Sequence, residues 1–152
     1  MAKLEVGDKA PAFALKDQHG KLVRLSSFKG QRIVVYFYPK ADTPGCTKEA
    51  CSIRDSWTDL KAKGIQVLGV SEDKADAQKK FAEKYQLPHT LIADNDGAVA
   101  KAFQVDMIPL AGLTKRQSFL IKDGKVVWNQ LSASTDKQAA DVLAAYEALG
   151  KK

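Results

Sequence analysis

The chain has 152 residues, 24 basic and 18 acidic side chains, a net charge of +6, and an ordinary globular balance of 45% hydrophobic and 28% charged residues. A chain of this length buries about two-thirds of the surface that its unfolded form exposes, so it needs neither a disulfide scaffold nor a structural metal to stay folded. Its longest unbroken apolar run, Ile33 to Tyr38, falls far short of the about 20 residues of a membrane-spanning helix.

The predicted elements begin with a hairpin, Ala12–Leu15 and Leu22–Leu25 around His19-Gly20, followed by a short helical turn capped by Ser26 or Ser27. Arg32–Tyr38 is β-branched, aromatic and almost wholly apolar, the pattern of a strand covered on both faces. Pro44–Lys63 reads as one helix with Ala50, Ile53, Trp57 and Leu60 as its apolar stripe, stopped at Gly64. A second buried strand, Gln66–Val70, leads to a helix at Asp73–Tyr85. Ser71 or Asp73 is its expected cap, and Ala77, Phe81, Ala82 and Tyr85 its inner face. A strand at Thr90–Ala93, a turn at Asp94–Gly97 and a short helix at Ala98–Phe103 follow. Gln117–Ile121 and Lys125–Trp128 form a hairpin about Asp123-Gly124. Thr135–Leu149 is the last helix, capped by Thr135, with Ala139, Val142, Leu143, Tyr146 and Leu149 inward. Strands alternating with helices predict an α/β fold with a central mixed sheet, flanking helices and an N-terminal β-hairpin extension. With no repeat or linker, the expectation is one domain, residues 1–152.

The positive charge does not predict a nucleic-acid partner, because basic residues interleave with acids and no basic, aromatic stripe is present. The polar start, Met1 to Pro11, has no apolar signal core, which argues against a secretory signal and makes a cytoplasmic location the expectation. There a pair of cysteines is not a structural staple. His19 and His89 are not at zinc-ligand spacing from either cysteine, so no metal and no cofactor is expected.

Sites in such sheets form where strands lead into helices. Here that loop is Pro39 to Gly45, and Cys46 lies just past it. Thr43 suits the N-cap and Pro44 the first helical position. Cys46 therefore sits in a first turn whose free N–H groups and dipole stabilise a thiolate. Cys51 follows five residues later, about 7.5 Å along the helix and about 140° around it. Its Cα is then about 8–9 Å from that of Cys46, beyond the about 7 Å reach of a disulfide. The two sulfurs meet only if the first turns unwind.

These residues resemble the peroxiredoxins, most closely the bacterioferritin-comigratory-protein or Q-type subfamily. The resemblance rests on Tyr36-Phe37-Tyr38-Pro39-Lys40, Thr43-Pro44-Gly45-Cys46-Thr47 and Glu49-Ala50-Cys51. It is supported by Arg116-Gln117-Ser118-Phe119-Leu120-Ile121 and the opening Val6-Gly7-Asp8-Lys9-Ala10-Pro11. It implies a thioredoxin-like fold and a thiol peroxidase acting on hydrogen peroxide and organic hydroperoxides, with Cys46 peroxidatic and Cys51 resolving. Thr43, Arg116 and Pro39 complete the site. It further implies an intramolecular Cys46–Cys51 disulfide, reduction by thioredoxin or a similar dithiol, and a monomer. Ser118 stands where a threonine is common, and Lys115 precedes the arginine.

Other readings are weaker. His89 as a base for Cys46 is set against an exposed loop histidine. Asp94–Gly97 lacks the residues of a calcium loop and reads as a solvent turn. Trp57 and Trp128 read as core or half-buried packing. A thiol–disulfide oxidoreductase or redox relay using the same cysteines is the alternative enzyme, although it lacks a C-x-x-C pair. A non-enzymatic binding module has only the basic charge behind it.

Overall fold

A computed structural model of the chain describes residues 5–28, 31–106, 113–130 and 137–149. In chain order the strands are β1 (Ala14–Lys16), β2 (Leu22–Arg24), β3 (Arg32–Phe37), β4 (Ile65–Ser71), β5 (Thr90–Ala93), β6 (Gln117–Lys122) and β7 (Lys125–Gln130). The helices are α1 (Pro44–Asp55), α2 (Trp57–Ala62), α3 (Ala75–Tyr85), α4 (Ala98–Ala102) and α5 (Gln138–Ala148), and a 3₁₀ turn spans Leu25–Phe28.

The apolar run of β3 forms the middle of a five-stranded sheet of order β5-β4-β3-β6-β7. β3 pairs parallel with β4 from Arg32↔Ile65 to Phe37↔Val70, and antiparallel with β6 from Arg32↔Lys122 to Phe37↔Gln117. Both faces are covered, so its side chains alternate between two cores. Val34 and Tyr36 pack with Ala50, Ile53, Leu60, Phe81 and Val142, under α1, α2, α3 and α5. Ile33, Val35 and Phe37 pack with Val99 and Phe103 of the α4 side, and with Phe13, Leu15 and Val23 of the N-terminal hairpin.

The N-terminal segment reaches both sheet edges. The N–H of Gly7 donates to Val126 O (2.8 Å), Val126 N–H donates to Asp8 O (2.9 Å), and Ala10 N–H donates to Gly124 O (2.8 Å). At the other edge Asp17 bridges to Ile92. The backbone at Gly124, Val126 and Ile92, which the edges would otherwise offer to another chain, is thus engaged.

Four predicted details differ. The helix expected over residues 44–63 is two, split at Ser56, whose φ of −107° and ψ of 15° leave the helical range. Its N–H is shared between Ser52 O and Ile53 O, both at 3.3 Å, a tightened last turn that turns Trp57 to a half-buried position while Leu60 stays buried. α3 begins at Ala75 because the expected caps are used elsewhere. Ser71 Oγ donates to Asp73 Oδ2 (2.6 Å), and the same oxygen accepts Ala41 N–H (2.7 Å). On its inner face Gln78 is buried beside Phe81 and Ala82, whereas Ala77 and Tyr85 are half-buried. Leu149 lies just past α5 and is exposed rather than inward. The predicted cap Thr135 lies outside the described residues. Within them, Ala139 N–H near the start of α5 donates to Ser52 Oγ of α1 (3.0 Å).

Gly69 of β4 faces Tyr36 across the sheet register. A Cβ there would lie 2.8 Å from Tyr36 Cζ and Oη and 2.9 Å from Leu91 Cδ2. The absent side chain is the space that the fully buried Tyr36 ring occupies. Gly69→Ala is therefore expected to destabilise the protein by about 1–3 kcal/mol through overpacking, measured as a lower urea midpoint. An unchanged midpoint would mean that the tyrosine ring moves aside without cost.

Candidate active site

β3 delivers its carboxyl end to the site. Tyr38 continues the strand, with its N–H donating to Val70 O (3.1 Å) and its carbonyl accepting from Thr114 Oγ1 (3.1 Å). Pro39, half-buried, ends the pairing. The loop then turns into α1. Because β6 runs antiparallel to β3, with Gln117 opposite Phe37, Arg116 falls at the same end of the sheet. That register brings together two residues 70 positions apart.

Arg116 points both of its terminal nitrogens at Cys46 Sγ, each at 3.5 Å, and its Nη1 also donates to Glu49 Oε1 at 2.7 Å. The ion pair is deeply set, with the arginine side chain 17% exposed and the glutamate 0%. Cys46 is 1% exposed. Cys46 and Glu49 are three apart on α1, so they share a face and meet the same guanidinium. Burial pushes the Glu49 carboxyl up to about 8, against the pull of Arg116. Burial also works against the charge of Arg116, but Glu49 and Cys46 outweigh it and hold the guanidinium above the ordinary arginine value.

Glu49 stood in the quoted motif but received no role from the sequence. Its signal was there: a charged residue on the stripe shared with Ala50 and Ile53, which are fully buried. Such a carboxylate must find a cation. Its Oε2 is buried with no hydrogen-bond partner among the described residues.

Thr43 occupies the N-cap position in extended conformation (φ −98°, ψ 156°), but its side chain caps nothing. The hydroxyl turns back and donates to Lys40 O (2.8 Å), while Thr43 O accepts Thr47 N–H (2.8 Å). With its proton engaged, the hydroxyl presents lone pairs and not a donor. Cys51 is half-buried, and both cysteines are free thiols on a helix continuous from Pro44 to Asp55.

His89 is not an exposed loop histidine. It is 1% exposed, its Nε2 shares a 2.7 Å hydrogen bond with Tyr36 Oη, and its backbone carbonyl accepts from Gln18 Nε2 (3.1 Å). The hairpin and β3 wrap it, and Trp57 lies 6.2 Å away, centroid to centroid. Burial lowers its pKa to about 3. Its ring is bonded to Tyr36 and not to Cys46. The Asp94 turn is likewise not a solvent turn at its first residue. Asp94 is buried, and its carboxylate accepts Val99 and Ala100 N–H at 3.0 Å each, fastening the start of α4.

A mixed sheet of this order, with a cysteine in the first turn of the helix that follows its central strand, defines a thioredoxin-like protein. The chain belongs to the AhpC/TSA family, whose model matches residues 6–129, and within it to the peroxiredoxins of the Q or bacterioferritin-comigratory-protein type. It is 46% identical over 127 residues to a peroxiredoxin Q, chloroplastic, of Suaeda salsa; the match covers 84% of this chain and 59% of the relative's length. The crystal structure of peroxidoxin BcpB from Mycobacterium tuberculosis is 38% identical, with a TM-score of 0.88 over 96% of this chain and 98% of that one. A bacterioferritin comigratory protein of Xanthomonas campestris, studied for its alkyl peroxide reduction activity, is 29% identical, with a TM-score of 0.88 over 100% of both chains.

Two expectations follow. Above about pH 8 the Glu49 carboxylate competes with Cys46 for one guanidinium. In a Cys51→Ser background, alkylation of Cys46 by iodoacetamide should run at similar rates in Glu49→Gln and its parent below that pH, and faster in Glu49→Gln above it. Mass spectrometry against pH reads this, and a constant ratio of rates would reject it.

His89 is neutral in the folded state down to about pH 3, whereas the unfolded chain takes up its proton below about 6.5. Its contribution is therefore complete above about 6.5 and is lost as pH falls toward 3, by up to about 1.4 kcal/mol per pH unit. Urea unfolding from pH 7 to 4 should show a shallower loss in His89→Gln than in the parent; equal slopes would contradict this.

Proposed function

We propose that this chain reduces hydrogen peroxide and organic hydroperoxides, with Cys46 as the nucleophile. The observation that supports this best is the double placement of Arg116, against Sγ and against a buried carboxylate that fixes it. A fixed cation beside sulfur favours the thiolate, and Arg supplies it as a planar fork of donors at any working pH.

In the proposed reaction the Cys46 thiolate attacks the terminal oxygen of the hydroperoxide, the O–O bond breaks, and the alkoxide or hydroxide leaves to take up a proton. Sulfur is oxidised to sulfenic acid and the peroxide is reduced to alcohol or water. Arg116 and the free N–H groups of the first turn of α1 meet the charge that develops on oxygen. The Thr43 hydroxyl, already donating to Lys40 O, accepts the hydroperoxide O–H. Pro39 closes the sheet side of the pocket. The Cys51 sulfur then displaces water from the sulfenic sulfur once the first turns of α1 unwind, and an external dithiol of thioredoxin type reopens the disulfide by exchange. The intact helix supports this order over that of a dithiol oxidoreductase, whose two sulfurs meet in place.

We assign this activity to a monomeric, cytoplasmic protein of one domain, residues 1–152, with no nucleic-acid or membrane partner. Among the described residues no helix is long and apolar enough to cross a membrane.

The test is one equivalent of hydroperoxide added to the reduced protein. Loss of two thiols and of two daltons is expected. Cys46→Ser should abolish peroxide consumption. Cys51→Ser should give a stable sulfenic acid that turns over poorly with thioredoxin; turnover at the parent rate would overturn the resolving role.

A further inference from the structure

We propose that Tyr85, with Lys84 beside it, is a positioning residue that clamps the segment carrying both cysteines and sets how its sulfenic acid partitions between disulfide and over-oxidation. The proposal rests on the peroxidase reading above.

The last turn of α3 touches this segment on both flanks. Upstream, Asp42 Oδ1 accepts from Tyr85 Oη at 2.8 Å, and Asp42 Oδ2 lies 3.0 Å from Lys84 Nζ. Downstream, Arg54 Nη1 donates to the Tyr85 backbone carbonyl at 2.8 Å. Asp42 and Arg54 enclose the whole stretch from Thr43 to Ile53. One residue of α3 is therefore bonded to the chain before Cys46 and to the chain after Cys51.

The clamp is anchored and works against backbone strain. The Tyr85 ring meets the buried Phe81 edge-on, with centroids 5.7 Å apart, and Lys84 Nζ lies 5.3 Å over the Tyr85 ring. Asp42 has φ +60°, a left-handed conformation unfavourable for a residue with a Cβ. Its carboxylate bonds to Tyr85 and Lys84 hold it there. The next residue upstream is held as well, by Ala41 N–H on Asp73.

The sulfurs meet only if residues between these anchors leave the helix. The downstream half of α1 is fixed three times: Ser52 Oγ to Ala139 N–H, Ile53 in the core, and Arg54 on Tyr85. The upstream half is held by the Glu49–Arg116 pair from the side and by the Asp42 bonds, beside the Ala41 bond, at its entry. Freeing Asp42 therefore eases the opening that precedes disulfide formation without touching Cys46, Glu49 or Arg116. Two fates compete for the sulfenic acid. In one, Cys51 sulfur displaces water and a disulfide forms. In the other, a second hydroperoxide adds oxygen, giving sulfinic acid and an alcohol. A looser clamp favours the first.

The experiment compares the full-length parent with Tyr85→Phe, which keeps the ring and the backbone carbonyl but loses the hydroxyl. Rapid mixing with peroxide, acid quench and mass spectrometry read sulfenic, disulfide and sulfinic species. The first step should keep its rate. Disulfide formation should be about two- to fivefold faster, the factor that an exposed charge-assisted hydrogen bond supplies. The peroxide concentration giving half sulfinic acid should rise by the same factor. Unchanged partition, slower disulfide formation or a first step slowed in proportion would overturn the proposal. If Tyr85→Phe does not fold, Lys84→Met at the surface decides by the same readouts, in the same directions. A parent that forms neither disulfide nor sulfinic acid would refute the peroxidase reading and not the clamp geometry.

Discussion

A guanidinium shut almost completely between a carboxylate and a sulfur is the constraint on which the rest of this structure turns. Taking such charges out of water costs several kcal/mol for each ion, and removing one partner of a buried pair costs about 3–5 kcal/mol. Arg116 therefore keeps Glu49 Oε1 as its partner, a neutral acceptor below about pH 8 and a carboxylate above it, and the two come from different elements. The pair holds α1 to the end of β6, and so fixes the face on which Cys46 lies. The order of dependence is clear: β3 sets the register of β6, β6 places Arg116, and Arg116 seats α1.

Beneath the helix the floor is stiffened by a second set of buried polar bonds. Tyr38 Oη donates to Gln78 Oε1, and Gln78 Nε2 donates to Ser71 Oγ (2.9 Å) and Ile92 O (3.1 Å). Ser71 holds Asp73, and Asp73 accepts the N–H of Ala41 in the loop before Cys46. This chain ties β3, β4, β5 and α3 to the loop without using any residue of α1. Deeper still, Tyr36 lies over Gly69 and bonds His89. The sheet and α3 can thus stay in place while α1 rearranges above them.

The sequence was most legible where one physical signal acted alone. The apolar run at Arg32–Phe37, the positive-φ turns at Gly20, Gly64 and Gly124, and the Thr43-Pro44 helix start placed strands, turns and helix ends nearly where they lie. What was not legible depended on contacts across the fold. Ser56 breaks a helix whose apolar stripe reads straight through. Thr43 sits at the cap yet gives its hydroxyl to Lys40, a choice made by the loop and not by helix propensity. His89 follows a proline and looks exposed, but the N-terminal hairpin, 71 residues away through Gln18, closes over it. The placement of Arg116 beside Cys46 came from family resemblance. The antiparallel register of β6 explains it physically, and that register is not written in local sequence.

Glu49 lies between the two cysteines in sequence, and under the proposed cycle this makes the site self-limiting. Any unwinding that brings Cys51 to Cys46 must pass through the turn that carries Glu49, so the ion pair with Arg116 opens with the helix. In the closed state burial holds the Glu49 carboxyl up near 8; once exposed it returns to the ordinary carboxylate range near 4.5. The opened state therefore binds fewer protons between those values, and opening is favoured as pH rises through that window and opposed as it falls. The arrangement that holds a cation against the sulfur is thus the one that must be dismantled before the two sulfurs meet. In the proposed cycle, a firmer seat for α1 strengthens the grip on Cys46 and, by the same contacts, delays the approach of Cys51.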